Sequence, residues 1–423
     1  MGISRRIFLR NSAIAMAGVG AAPLWLERAA FAGEPQGARK KVLVAIFQRG
    51  AADGLNIVVP HGERHYYELR PGIAVPRPTA GLAQQDAVID LDGFFGLHPS
   101  LAALQPLWQQ QKLAIVHAAG SPDPTRSHFD AQDYMESGTP GFKGTADGWL
   151  NRALPLAGGK VSPVRAVSLG PALPRTLRGG QNAIAVENLN NFNVKDAAAA
   201  GVLQSLYAGT GDRVLNGTGR ETFEAVSLLQ SIRKTPYQPG AGADYPRGRF
   251  GDSMKQIAQL IKADVGVEVA FADIGGWDHH VNEVGAKASV GQLANVLSEF
   301  GNSLAAFYQD LGDRMEDVVV VTMSEFGRTA KENGNRGTDH GHANAMFVMG
   351  GPVQGGKVYG KWPGLAPEQL NEERDLALTT DFRDVLSEAV YSHLGNRSIR
   401  SVFPNYDANP DRFRGFLRAS NGC

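Results

Sequence analysis

Residues 41–56 read Lys-Val-Leu-Val-Ala-Ile-Phe-Gln-Arg-Gly-Ala-Ala-Asp-Gly-Leu-Asn. Six apolar residues run without alternation from Val42 to Phe47, the pattern of a strand buried on both faces of a parallel sheet. The run breaks at once into a polar, glycine-bearing turn that carries Arg49 and Asp53. Runs of the same kind recur at Lys112–His117, Val267–Ala272, Asp317–Met323 and Ala345–Met349. Between them lie helical patterns. Leu293, Val296, Leu297, Phe300, Leu304, Phe307 and Leu311 form one apolar stripe, and Met254, Ile257, Leu260 and Ile261 form another just before the run at 267. Strand, helix and strand in this rhythm predict an α/β fold with a mostly parallel sheet between helices.

Working outward from each run, the residues able to do chemistry gather at one end. Arg49–Asn56 follow the first run and Asp123-Pro-Thr-Arg-Ser-His-Phe-Asp130 the second. Gly275-Gly-Trp-Asp-His-His280 follow the third and Ser324-Glu-Phe-Gly-Arg-Thr329 the fourth. The fifth run is instead preceded by its cluster, Gly337-Thr-Asp-His-Gly-His-Ala-Asn344. In open α/β sheets, ligands bind beyond the carboxyl ends of the strands, so five distant segments are expected to converge there. Carboxylate and imidazole together suit Zn²⁺, Mn²⁺ or a similar divalent ion. Ser127 precedes a predicted helix, His128–Glu136. It reads either as an N-cap or as a nucleophile helped by the helix N-terminus. Arg126 and Arg328 read as clamps on a tetrahedral anion or as surface ion pairs.

Composition narrows the rest. The 423 residues are 43% hydrophobic and 20% charged, a globular balance with room for one large domain. Basic and acidic residues both number 42, which gives no electrostatic basis for binding nucleic acid. The single cysteine, Cys423, excludes an internal disulfide framework, a cysteine-ligated zinc site and an iron–sulfur cluster.

The N-terminus reads as an address. Arg5 and Arg6 precede Phe8-Leu9, then a short apolar stretch from Ala13 to Leu26 and a small-residue exit at Ala30-Phe-Ala32. This predicts a twin-arginine signal peptide over residues 1–32, with the twin-arginine translocon as export partner and a periplasmic or secreted product. The stretch is too short and too rich in Gly and Ala for a stable membrane anchor. A polar lead-in follows over residues 33–40, then one domain over 41–415. Residues 171–250, rich in Gly, Asn, Thr and Ala, read as an insertion or cap, and 416–423 as a C-terminal tail.

Gly-Trp-Asp-His-His at 276–280, Ser-Glu-Phe-Gly-Arg-Thr at 324–329 and Asp-His-Gly-His-Ala-Asn at 339–344, with the twin-arginine start, resemble domain-of-unknown-function family 1501 over roughly residues 41–415. That family is similar in fold to the alkaline phosphatase and sulfatase superfamily. The resemblance implies a parallel-rich sheet between helices with a two-metal site at its carboxyl edge. It matches Asp53 to the metal-binding Asp after the first strand and Ser127 to the nucleophile. It also matches Asp278 with His280, and His342, to metal ligands. Thr380-Asp381 matches a late Thr-Asp leading into a helix. Where the superfamily has Asp-His after its fourth strand, this chain has Ser324-Glu325. Either Glu325 replaces the Asp, or Asp339 and His340 take the role.

The resulting expectation is an exported hydrolase of phosphate or sulfate esters, small or polymeric, working with one or two divalent ions (Zn, Mn, Mg or Ca). Asp53, Asp278, His280, Glu325, Asp339 and His342 are the expected ligands. Ser127 or a metal-held water attacks, Arg126 or Arg328 steadies the transferred group, and His340 protonates the leaving group. The rival readings are a non-catalytic binding or assembly protein, and a lyase or transferase on the same scaffold.

Overall fold

The computed structural model describes residues 39–78, 86–155, 161–189, 213–234 and 236–418. The expected signal peptide, 1–32, lies outside the described residues, as does all of the lead-in except its last two positions. Among the described residues no helix is long and apolar enough to cross a membrane.

The central sheet comprises β1 (Val42–Gln48), β2 (Leu113–Gly120), β3 (Ala166–Leu169), β4 (Ile184–Val186), β5 (Val269–Ile274), β6 (Val318–Ser324), β7 (Asn344–Gly350), β8 (Lys357–Tyr359) and β9 (Thr380–Asp381). Across the sheet the order is β8-β2-β7-β6-β1-β5-β3-β4, and β9 pairs further along β2. Every pairing is parallel except those of β7, which runs antiparallel to both β2 and β6. All five expected strands are present. The short β3, β4, β8 and β9 carry too few residues to stand out as apolar runs.

The unbroken apolar runs have the predicted cause. In β1, Val42, Val44 and Ile46 enter one core while Leu43, Ala45 and Phe47 enter the other, on the opposite face. β6 divides in the same way, Val318 and Val320 against Val319, Val321 and Met323. A strand covered on both faces needs no polar alternate. Helices α1 (His128–Ser137), α2 (Trp149–Ala153), α3 (Arg213–Arg233), α4 (Arg249–Lys262), α5 (Gln292–Leu311) and α6 (Phe382–Glu388) flank the sheet. α5 lays Leu293, Leu297, Phe300, Leu304, Phe307 and Leu311 into the first core, the stripe read from the sequence. Each such side chain contributes about 1.5–3 kcal/mol by leaving water.

Two boundaries differ from expectation. The stretch 171–250 is not all cap, because β4 within it is an edge strand of the main sheet. The tail expected from 416 is part of the domain as far as Leu417. Phe416 is fully buried, and Leu417 bridges to Val353.

Candidate metal centre

Strand register brings the clusters together. Gln48 lies opposite both Ser324 and Ile274, so β1, β5 and β6 end side by side. The next residues of each chain segment therefore emerge at one edge. β7 is antiparallel, so the segment preceding it arrives at that same edge, which is why its cluster comes before the strand. The turns meet at backbone contact. Gly50 has φ +117°, and a Cβ there would lie 2.9 Å from the Asp278 nitrogen. A Cβ at Gly341 would lie 2.3 Å from the carbonyl carbon of Arg328.

After β5, burial alternates. Trp277 is fully buried in the core and donates its Nε1–H to the Ile274 carbonyl at 3.0 Å, and His279 is buried too. Asp278 and His280, between and beyond them, are therefore turned outward. α1 starts after the N-cap Ser127, whose Oγ accepts from the Asp130 N–H, and so places His128 at its first position.

Three imidazoles and one carboxylate gather here, and His128, Asp278 and His340 bring one ligand atom each within 4.8 Å of one another. His340 Nε2 lies 3.0 Å from His128 Nε2 and 3.0 Å from His280 Nε2. Asp278 Oδ1 is 3.0 Å from His280 Nε2, 3.5 Å from His340 Nε2 and 3.7 Å from His128 Nε2. The other ring nitrogen of each histidine meets an acceptor. His128 Nδ1 donates to Glu325 Oε1 at 2.8 Å, His280 Nδ1 to Asp339 Oδ1 at 2.9 Å, and His340 Nδ1 to the Arg126 carbonyl at 2.8 Å. With the proton on Nδ1, each Nε2 presents a lone pair. Nε2 lone pairs and a carboxylate oxygen this close repel unless a proton or a metal ion lies among them. A ligating histidine held from behind by a carboxylate or a carbonyl is the arrangement that fixes a ring for metal binding. The N/O donor set suits Zn²⁺ or a similar transition ion.

Electrostatics follow from the contacts. Burial pushes the Glu325 carboxyl up, but hydrogen bonds from His128, Gln132 Nε2 and the Gly50 N–H outweigh it and hold Glu325 below its ordinary value. The hydrogen bond to Glu325 in turn holds His128 above its ordinary value. Burial likewise pushes Asp278 up, and the Arg328 guanidinium, 2.6 Å from Oδ1, more than reverses it.

The expected site residues fall into three groups. Asp278, His280 and His340 are in the cluster, His340 as a converging donor rather than only a proton source. Glu325 and Asp339 stand behind it as acceptors for histidine rings. The others are elsewhere or engaged. Asp53, expected as a ligand, is buried and held by Arg70 through contacts of 2.5 and 3.0 Å. Beside it Glu283 is pushed well above the usual carboxyl range, first by burial and then by the charge of Asp53. His342 is displaced from the cluster and has Asp375, Arg126, Glu372 and Asp123 as its charged surroundings. Arg126 bonds Glu372 and Asp375, both at 2.7 Å. Arg328 is no surface residue. It is buried and donates to the carbonyls of Gly50, Ala51, Trp277 and Thr338 besides Asp278. These bonds hold Ala51 at φ +62°, in the left-handed region that disfavours a side chain.

His128 was not among the expected ligands. Its signal was present: a histidine at the first position of a helix, in a cluster facing the sheet edge. Ser127, its neighbour, drew the functional reading instead.

Two solved structures align with this chain at low similarity. The C-terminal periplasmic domain of EcEptC from Escherichia coli, in complex with Zn, aligns at 8% identity and a TM-score of 0.34, covering 75% of this chain and 74% of that one. The PsFucS1 sulfatase from Pseudoalteromonas sp. aligns at 12% identity and a TM-score of 0.34, covering 99% and 75%. Likeness at that level carries no argument about activity. A search of curated proteins gives no match. Residues 40–398 match the sequence family described as "Protein of unknown function (DUF1501)", and with most of its length inside that match the chain belongs to this family.

Proposed function

We propose that this protein is an exported, metal-dependent hydrolase of phosphate or sulfate esters, with one divalent ion held by His128, Asp278 and His340 and with His280 beside them. The observation that carries the reading is the convergence of His128 Nε2, His340 Nε2 and Asp278 Oδ1, all within 4.8 Å of one another, with His280 Nε2 3.0 Å from both His340 Nε2 and Asp278 Oδ1 and each ring fixed through its Nδ1. An ion bound there supplies a Lewis acid, which polarises an ester oxygen and makes a water a better nucleophile at neutral pH. Glu325, Asp339 and the Arg126 carbonyl keep the three rings aimed. Arg328 keeps Asp278 in place and partly neutralises it. The cluster side chains are 23–48% exposed, so a substrate can reach them. Ser127 is exposed at the head of α1, one residue from His128, and is the side-chain candidate for attack. Export rests on the sequence of residues 1–32 alone.

A non-catalytic binding role is favoured by one observation. Arg328 has all three guanidinium nitrogens engaged by protein partners, which leaves it unable to steady a transferred group, and Arg126 commits its Nη2 to Glu372 and Asp375. The test is ion content after reconstitution with Zn²⁺, Mn²⁺, Mg²⁺ or Ca²⁺, followed by a panel of aryl phosphate, phosphodiester and sulfate esters. One equivalent of ion and turnover that disappears in His340→Ala support the hydrolase. A fully loaded protein inert to the whole panel supports the binding role.

A further inference from the structure

A cavity of about 590 Å³ opens at the same sheet edge, beyond the ends of β1, β3 and β5. Four arginines line it, Arg49, Arg175, Arg178 and Arg249, with three carboxylates, Asp133, Glu136 and Asp273. The carboxylates are already engaged. Arg49 bonds Glu136 at 2.9 Å and Asp273 at 2.7 Å, Arg249 bonds Asp273 at 2.9 Å, and Arg175 contacts Asp133. Among the described residues Arg178 pairs with no carboxylate. It is exposed and donates only long bonds, 3.3 and 3.4 Å, to the Leu173 carbonyl. Arg175 Nε is buried with no hydrogen-bond partner. Despite its contact with Asp133, burial and the like charge of Arg178 draw Arg175 below its ordinary value. The cavity thus holds one guanidinium in excess of its carboxylates and an unused guanidinium N–H, in a chain whose formal charge is zero.

We propose that this cavity is a binding site for an oxyanion, a carboxylate, sulfate or phosphate group, with Arg178 as its main contact and Arg175 beside it. Guanidinium pairs recognise such groups by bidentate, charge-assisted hydrogen bonds. The cavity is also tied to the metal centre. His128, Gln132 and Glu136 follow one another at four-residue steps on one face of α1, the first in the cluster and the last in the cavity wall. Arg49 Nη1 donates to Gln132 Oε1 at 3.0 Å, and Gln132 Nε2 donates to Glu325 Oε1 at 2.8 Å, the oxygen that holds His128. Eight residues of helix put the two sites roughly 12 Å apart, a span one substrate can bridge. On the hydrolase reading the cavity holds the acidic remainder of the ester cut at the cluster. That extension rests on the reading above; anion binding itself does not.

Calorimetric titration of the full chain in excess chelator tests the site without any ion, so its failure is separate from failure of the metal reading. The probes are inorganic sulfate and dextran sulfate, against the parent, Arg178→Gln and, as a control, Arg400→Gln, an exposed arginine paired with Asp407. Saturable binding of sulfate, weakened at least tenfold by Arg178→Gln and unchanged by Arg400→Gln, establishes a site for a free oxyanion. The same dependence with dextran sulfate alone establishes a site for an oxyanion borne on a larger ligand. Binding of neither probe, or binding indifferent to Arg178→Gln, overturns the proposal.

Discussion

Glu325 Oε1 and His128 Nδ1 lie 2.8 Å apart although 197 residues separate them in the chain. Glu325 has a fully buried side chain that also accepts from Gly50, Gln132 and Ser324. It is a fixed acceptor at the end of β6 that aims the first residue of α1. Glu325→Gln removes the charge while keeping the shape. Its expected effect is a 10–100-fold loss of ion affinity with a retained fold, measured by competition with a chromogenic chelator.

His340 and His342 are two residues apart, and only His340 reaches the cluster. His340→Ala should abolish stoichiometric ion uptake, whereas His342→Ala should keep about one equivalent. Elemental analysis of the two variants after identical reconstitution decides between them. Loss of the ion in His342→Ala alone would return His342 to the ligand set and remove His340.

Asp53 and Arg70 form a fully buried pair. Asp53→Asn leaves the guanidinium without its counter-charge in a place water does not reach. The expected cost is roughly 3–5 kcal/mol of stability, read by urea unfolding. Ion content of the folded fraction should not change, which is the opposite of what a ligand at Asp53 requires.

Ser127→Asp keeps an N-cap and removes the hydroxyl. If Ser127 attacks, the variant should fold normally, bind its ion and lose turnover. Substantial activity in the loaded variant would assign the attack to a water instead.

His117 is buried with Nδ1 accepting from the Ala118 N–H at 2.8 Å and Nε2 donating to the Val58 carbonyl at 3.0 Å. Burial, the largest influence, lowers it from 6.5 to about 4. The unfolded chain therefore takes up a proton near pH 6.5 that the folded chain refuses until about pH 4. Its contribution to stability is fully present above pH 6.5 and is lost as pH falls toward 4. Relative to His117→Gln, the parent should lose about 1.4 kcal/mol per pH unit across that window. Paired urea titrations measure this, and parallel pH profiles for the two proteins would sink it.

The sequence by itself determined the sheet, its flanking helices and the edge at which chemistry gathers. These depend on hydrophobic periodicity, which is local: Val42–Phe47 must be covered on both faces wherever the strand lies, and the α5 stripe must find a core. It also named Asp278, His280, Glu325, Asp339 and His340 as members of one neighbourhood, because strand ends share an edge. Which of them point at a common centre was decided only by tertiary structure. The antiparallel course of β7 sets the side from which His340 enters, the burial of Trp277 turns Asp278 outward, and Arg70 claims Asp53. Each ring nitrogen is then fixed by an acceptor from a distant segment, Glu325 for His128 and Asp339 for His280. The direction of a side chain is a property of the turn that carries it and the partners that meet it, and neither is written in the residues beside it.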